Sequence, residues 1–178
     1  MGAVVDTTVF VDIEREARPL GLANPGTLIG ESLERYLGPD EEAAMSAIAA
    51  SELLHGVHRA TAEHRARRET FVEAVISAVP CLEFGLLAAR AHARLWAHLR
   101  AEGADMGAHD RVIAATALSL GWRVATANAR HFRRVPGLQV VEVRRAPLQE
   151  EVRGFTSRLR ARARPRPVLR TGERQHPW

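Results

Sequence analysis

The sequence predicts an α/β fold of three layers, α/β/α, in which a short and mostly parallel sheet lies between helices. Two observations predict it. Short apolar runs, each long enough for one buried strand, alternate along the chain with longer stretches whose apolar residues recur at helical spacing. The chain has 178 residues, of which 46% are hydrophobic, which is enough for one core of moderate size. A second folded domain is therefore not expected.

The first part of the chain alternates strands and helices, as a parallel sheet requires. The apolar run at Ala3–Asp6 predicts a short buried strand. Thr27–Leu37 has helical spacing, and the Gly-Pro pair directly after it is typical of a helix end. Small and apolar residues at Ala43–Ile48 predict a second strand, and helices are expected at about residues 50–59 and 62–78. No element is assigned between the first strand and the first helix.

The second part continues this alternation. Val79–Phe84 predicts a strand, and Leu86–Glu102 predicts a helix. In that helix, apolar residues recur every four positions and are expected to face the core, namely Leu87, Ala91, Leu95 and Leu99. The remaining predicted elements are a helix at 110–120 that Asp110 opens, a strand at 123–126, a helical turn at 129–133 and a strand at Leu138–Val143.

The positive charge of the chain is concentrated after residue 143. Residues 144–178 carry 10 Arg and 3 Glu, a net charge of +7, whereas residues 1–143 have a net charge of −3. We therefore divide the chain into a domain at 1–143 and an Arg-rich C-terminal extension at 144–178. The extension is expected to be helical at first, since Leu148, Val152, Phe155 and Leu159 follow helical spacing, and mobile beyond Arg160. Its role is left open between a solvated extension and an arm that binds RNA or a partner.

Composition excludes several classes of function. The sequence contains 25 Arg and no Lys. Schiff-base enzymes and P-loop enzymes both need a Lys amine, so the sequence fits neither class. The single cysteine, Cys81, cannot form a disulfide within the chain. The N-terminus lacks the pattern of a signal peptide, and no segment is apolar enough to span a bilayer. We therefore expect a cytoplasmic protein that does not bind to a membrane.

Four polar residues stand where a predicted strand ends or a helix begins, namely Asp6, Glu52, Asp110 and Asn128. In an open parallel sheet, the carboxyl ends of the strands and the starts of the following helices share one edge, where ligands bind. Carboxylates that meet on one edge repel each other unless a cation lies between them. The four positions together therefore predict a divalent-metal enzyme.

Three of these four residues also have a purely structural interpretation. Asp110 is well placed to be the N-cap of its helix, and Glu52 suits an exposed early turn of a helix. Asn128 is a common turn residue. Asp6 is harder to explain in this way, because an unpaired charge after a buried strand is energetically expensive.

The same residues lie in motifs that resemble a known family, the PIN domain. The similar segments are Val4–Asp12, Ser46–Gly56, Gly107–Leu118 and Gly121–Leu138. They occur in the order and at the spacing of the family, and the resemblance covers about residues 3–143. Within the family, the chain is most similar to the VapC toxins of bacterial type II toxin–antitoxin pairs. The resemblance implies a PIN-like fold and the activity of a metal-dependent endoribonuclease.

The resemblance also assigns roles to the polar positions. Asp6, Glu52 and Asp110 match the catalytic, metal-binding acids of the family, and Asn128 matches a fourth catalytic position that is Asp in many members. The expected cofactor is Mg²⁺ or Mn²⁺, because both prefer hard oxygen ligands. We expect Asp6 and Asp110 to be the primary ligands, and Glu52 to act through a water or to help deprotonate the attacking water. Whether one or two metal ions bind is left open.

Three further residues are predicted to bind substrate. Thr8 matches a hydroxyl position beside the first Asp, and Arg111 and Arg130 lie next to the acidic residues in sequence, where they could hold phosphates. Surface arginines with solvated partners are the alternative for both. The expected partners are an RNA substrate, a cognate antitoxin and a second copy of the chain in a homodimer. The competing interpretation is a non-catalytic PIN-like module that binds RNA or protein, which need not keep the acidic residues.

Overall fold

The computed structural model describes residues 2–18 and 25–144. The elements in chain order are β1 (Gly2–Val5), α1 (Thr7–Ala17), α2 (Gly26–Leu37), β2 (Glu42–Ser46), α3 (Ala47–His58), α4 (Ala62–Ala78), β3 (Cys81–Leu82), α5 (Leu86–Ala101), α6 (Ala108–Leu120), β4 (Arg123–Thr126), α7 (Ala129–Phe132) and β5 (Val140–Glu142). The helix and the mobile segment predicted for the C-terminal extension lie outside the described residues.

The five strands form one sheet in the order β3-β2-β1-β4-β5. Every pairing is parallel, and the central strand β1 sets Val4 opposite Ala44 of β2 and Val124 of β4. Because β1 neighbours β2 on one side and β4 on the other, the chain order reverses beside it. Such a reversal opens a crevice at the carboxyl ends of the strands. The predicted three-layer α/β fold with a parallel sheet is confirmed.

The central strand is buried on both faces. Ala3, Val4 and Val5 are all 0% exposed, which is the expected environment of a parallel strand covered by helices on both sides. Val4 belongs to a cluster of buried residues that includes Leu95 of α5 and Ile113 of α6. The residues that follow β1 therefore begin at a fixed position at the middle strand of the sheet.

The helix α5 packs against α6 with a buried face that differs from the predicted one. Ala88, Ala91, Leu95 and Leu99 are buried, whereas Leu87 is 68% exposed. The prediction for Leu87 was wrong because a repeat of four residues advances by about 40° at each step on a helix of 3.6 residues per turn. Over the length of α5, this drift carries Leu87 out of the core face. No helix of the described residues is long and apolar enough to cross a membrane.

The helix α1 was not predicted. Its sequence begins with Thr, Thr, Val and Phe, residues of modest helix propensity, which obscured its period. The buried side chains Val9, Phe10 and Ile13 nevertheless recur at helical spacing. The helix matters for function because it starts directly after Asp6 and turns Thr7 and Thr8 toward the carboxyl edge of the sheet.

Several boundaries also differ from the prediction. The second strand ends at Ser46, whose hydroxyl accepts a hydrogen bond of 3.4 Å from the Ala49 N–H and so begins α3 at residue 47. The third strand contains only Cys81–Leu82, and the last contains only Val140–Glu142. The helix expected at 110–120 begins at Ala108, two residues earlier.

Candidate active site

The carboxylate of Asp6 is held at the end of the central strand. Asp6 follows the last residue of β1, and its N–H donates a hydrogen bond of 2.9 Å to the Ala125 carbonyl of β4. Its Oδ2 accepts hydrogen bonds of 2.6 Å from the hydroxyls of Thr8 and of Thr126. Asp6 was expected to be the last residue of the strand, but the strand ends at Val5 and Asp6 is the N-cap residue of α1. The residue is only 4% exposed.

The ionised form of Asp6 is costly at this position. Burial raises the pKa of Asp6 above its ordinary value of 3.8, and the hydrogen bonds from Thr126 and Thr8 oppose that shift. The negative charges of Asp110 and Glu52 raise the pKa of Asp6 further. Asp110 and Glu52 are therefore close enough to repel the charge of Asp6, although the three residues come from distant parts of the chain.

Glu52 lies on α3 with both carboxylate oxygens engaged. Its Oε2 accepts a hydrogen bond of 2.5 Å from the Thr7 hydroxyl, and its Oε1 lies 2.6 Å from Nδ1 of His109. The two partners belong to α1 and α6, so three helices meet at this carboxylate. An ordinary surface glutamate on an early helical turn would not be fixed in this way.

Asp110 lies in the first turn of α6 but is not its N-cap. The N-cap is Gly107, so the interpretation of Asp110 as a capping residue was wrong. Its Oδ2 lies 2.9 Å from Nδ1 of His131, and its carboxylate lies beside Gly107. A carboxylate in the first turn is still favoured by the helix dipole.

Asn128 connects the end of β4 to the short helix α7. Its N–H donates a hydrogen bond of 2.9 Å to the Thr126 hydroxyl, and its Nδ2 lies 3.3 Å from Nδ1 of His131. Nδ1 of His131 therefore lies within hydrogen-bond distance of both the Asp110 carboxylate and the Asn128 amide.

Four polar residues of this site were given no role from the sequence, namely Thr7, His109, Thr126 and His131. His109 and His131 each bind one acidic residue through Nδ1. Thr126 and Thr8 share one oxygen of Asp6. The neighbouring pair His109-Asp110 was visible in the sequence, but its partner Glu52 lies 57 residues away from His109, and only the fold brings them together.

The donor set fits a hard divalent cation. Within the described residues, Oδ1 of Asp6 and Oδ1 of Asp110 have no hydrogen-bond partner, whereas both oxygens of Glu52 are engaged. In that same part of the chain, no group of three His, Cys, Asp or Glu side chains forms a complete metal-binding cluster. Mg²⁺ does not need one, since it keeps several waters and is commonly bound by one or two carboxylates.

The three predicted substrate-binding residues lie in different surroundings. The Thr8 hydroxyl bonds Asp6 and also accepts a hydrogen bond of 3.1 Å from the Ala127 N–H. The guanidinium of Arg111 donates to the Met106 carbonyl and lies over the ring of Trp96, so it is turned away from the position that the sequence suggested. Arg130 is exposed on α7. Their roles in binding phosphate stay predictions.

Comparisons with known proteins give one consistent family. The model of the PIN domain family matches residues 3–138. The chain is 32% identical over 144 residues to a protein named ribonuclease VapC from Rickettsia bellii, covering 80% of this chain and 97% of the relative. It is also 32% identical over 107 residues to the tRNA(fMet)-specific endonuclease VapC of Salmonella typhimurium, covering 60% of this chain and 80% of the relative.

A solved structure agrees with the sequence comparisons. It contains VapBC-5 of Mycobacterium tuberculosis, a member of the VapBC family of toxin–antitoxin systems. The similarity has a TM-score of 0.60 at 29% identity and covers 80% of this chain and 98% of the other. The matched part of the present chain therefore corresponds to nearly the whole of that protein.

Asp6→Asn should raise the melting temperature at neutral pH when divalent cations are removed by EDTA. Since the folded-state pKa of Asp6 is raised, its ionised form destabilises the fold above that pKa. This cost disappears as the pH falls through the raised pKa toward 3.8, because the wild-type carboxyl then becomes neutral. Thermal unfolding measured near neutral pH and in acid should show a gain that shrinks in acid.

The matched control is Asp40→Asn, which removes the same charge at an exposed position. It should give no comparable gain. If Asp6→Asn melts well below the wild type at neutral pH, the ionised carboxylate stabilises the fold through its hydrogen bonds. The claim that ionised Asp6 destabilises the fold would then be wrong.

Proposed function

The chain belongs to the PIN-domain family, and on this premise we propose that it is a divalent-metal-dependent endoribonuclease and the toxin of a toxin–antitoxin pair. One observation carries the proposal. The carboxylates of Asp6, Glu52 and Asp110 converge at the carboxyl edge of the sheet, where burial raises the pKa of Asp6 and the negative charges of Asp110 and Glu52 add to that rise. A protein gains nothing in stability from such an arrangement, so a cationic ligand is the physical reason to keep it.

Asp6 and Asp110 would hold the Mg²⁺ or Mn²⁺ ion through their Oδ1 atoms, and Glu52 would act through a water. When bound, such an ion lowers the pKa of a coordinated water and offsets negative charge on the substrate phosphate. The fourth position, Asn128, is uncharged. The set therefore has one fewer negative charge than relatives with Asp there, which favours a single tightly bound ion.

The remaining polar residues hold these acids in place. Thr8 and Thr126 fix the rotamer of Asp6 by sharing its Oδ2, which leaves Oδ1 directed to the site. Thr7 and His109 fix Glu52 in the same way from two helices. Residues that are already ordered do not have to be ordered again when substrate binds, and this lowers the barrier to attack on phosphorus.

RNA is the proposed substrate because the relatives carry the names ribonuclease and endonuclease. A water in the site would attack phosphorus in line with the departing ribose oxygen, and the proposed role of Glu52 is to accept the proton that this water would lose. Thr8, Arg111 and Arg130 are proposed to contact the RNA strand.

The proposed protein partner is a cognate antitoxin, by analogy with the toxin–antitoxin complex of VapBC-5. The predicted homodimer also stays a proposal. A non-catalytic binding module is less well supported, because such a module would have no reason to retain acids that repel one another.

Chelation should abolish RNA cleavage, and added Mn²⁺ should restore it. A second readout does not depend on activity: Mn²⁺ should raise the melting temperature of the wild type, because an ion that binds only the folded state stabilises it. The variant Asp110→Asn should lose both cleavage and this increase, whereas Asp40→Asn should keep both. Cleavage that persists in excess EDTA would exclude the proposed metal site.

Expression of the wild-type protein in bacteria should arrest growth, because an active endoribonuclease depletes essential RNA. Asp6→Ala should relieve the arrest while the variant accumulates as a folded protein, and Asp40→Asn should remain toxic. Growth and the amount of folded protein are measured in the same cultures. Equal toxicity of Asp6→Ala would show that the harm does not come from cleavage at this site.

A further inference from the structure

A cavity of about 430 Å³ lies between the C-terminal half of α5, the loop after it and Arg111 in the first turns of α6. The residues that matter for its chemistry are Trp96 and Arg100 of α5, Asp105 of the following loop and Arg111 of α6. Two arginines against one aspartate give the wall of the cavity a net positive charge, which suits an anionic ligand.

Arg111 is held in this wall by a ring contact and a hydrogen bond. Its Cζ lies 5.4 Å from the centre of the Trp96 ring, and its Nη1 donates to the Met106 carbonyl. Its Nε is buried and has no hydrogen-bond partner within the described residues. A buried guanidinium N–H without a partner is energetically unfavourable and is uncommon in folded proteins.

Trp96 presents an aromatic surface next to this guanidinium. The side chain is 45% exposed, and His92 lies against it with 5.9 Å between the two ring centres. Phe84 is 42% exposed and makes an edge contact with His92 on the other side, with 5.9 Å between the two ring centres. Proteins bind single-stranded RNA by stacking bases on exposed aromatic rings and on arginine planes. Here both kinds of surface are adjacent.

The position of the cavity relative to the acidic site follows from α6. Asp110 and Arg111 are consecutive, and consecutive residues of a helix point about 100° apart. Asp110 faces His131, whereas Arg111 faces Trp96. An RNA strand whose phosphate lies at Asp110 would therefore have a neighbouring nucleotide beside Arg111.

We propose that this cavity binds one nucleotide of the RNA substrate adjacent to the cleaved phosphodiester, with the base stacked on Trp96 and the phosphate held by Arg100 and Arg111. The inference rests on the proposed ribonuclease function and adds a subsite to it. A site that stacks one unpaired base selects single-stranded RNA over a duplex.

The first test compares substitutions of two exposed apolar side chains of α5, Trp96 and Leu87. The full chain binds a short single-stranded RNA in EDTA, where no cleavage is expected, and fluorescence anisotropy gives Kd. Trp96→Ala should weaken binding by roughly tenfold, since removal of one stacking side chain has about this effect. Trp96→Phe should keep most of the affinity, because it retains an aromatic face. Leu87→Ala, at a residue 68% exposed on the same helix, should bind as the wild type does.

The second test compares two exposed arginines of α5. Arg100 lines the cavity, and Arg90, which is also exposed, is not among its lining residues. Arg100→Ala should reduce the slope of log affinity against log salt by roughly 0.7, the value for one contact to a single-stranded phosphate. Arg90→Ala removes the same charge and should leave the slope nearly unchanged.

The two proposals fail in different ways. If the wild type binds RNA in EDTA and Trp96→Ala binds equally well, the subsite is wrong whether or not the protein cleaves RNA. If Trp96→Ala instead changes the oligomeric state in analytical ultracentrifugation, this surface is a protein interface and the subsite is also wrong. Absence of cleavage by the wild type in Mn²⁺ contradicts the ribonuclease proposal, and the binding measurements do not depend on that result.

Discussion

The buried charge of Asp6 is the constraint on which the rest of the site depends. The residue is fixed in position by the central strand, which is buried on both faces, and its carboxylate cannot move to solvent. Hydroxyls from α1 and β4 compensate for part of the lost hydration. The charges of Asp110 and Glu52 increase the cost instead. A divalent cation is the ligand that would turn this unfavourable arrangement into a favourable one.

The first turn of α6 divides the surface into two regions with different chemistry. Asp110 belongs to the acidic site, and Arg111, one residue later, belongs to a basic and aromatic cavity. Each nucleotide of a nucleic acid strand carries one phosphate and one base, so a metal site for the phosphate and an adjacent stacking surface for a base complement it. The orientation of Arg111 over Trp96 is thus the structural link between cleavage chemistry and recognition of the strand.

Local pattern was enough to predict the parallel three-layer fold and the strand ends that place Asp6 and Asn128. The roles proposed for the four polar positions came from the resemblance to PIN domains. The helix α1 was not predicted, because the β-branched residues at its start have low helix propensity and make the helical spacing of its apolar residues hard to recognise. The histidine partners of Glu52 and Asp110 could not be predicted, since each pair depends on the packing of α6 against distant elements. The direction of Arg111 was not predictable for the same reason, because Trp96 competes for its guanidinium.

The most direct measurement is a crystal structure of the protein grown or soaked with Mn²⁺, with anomalous scattering recorded to locate the ion. The central claim is that the acidic residues form a cation site at the carboxyl edge of the sheet. It predicts one strong anomalous peak in contact with Oδ1 of Asp6 and Oδ1 of Asp110, with Glu52 nearby through water. The claim would be contradicted if the acidic site showed no anomalous density at saturating Mn²⁺, or if Mn²⁺ bound only elsewhere on the molecule.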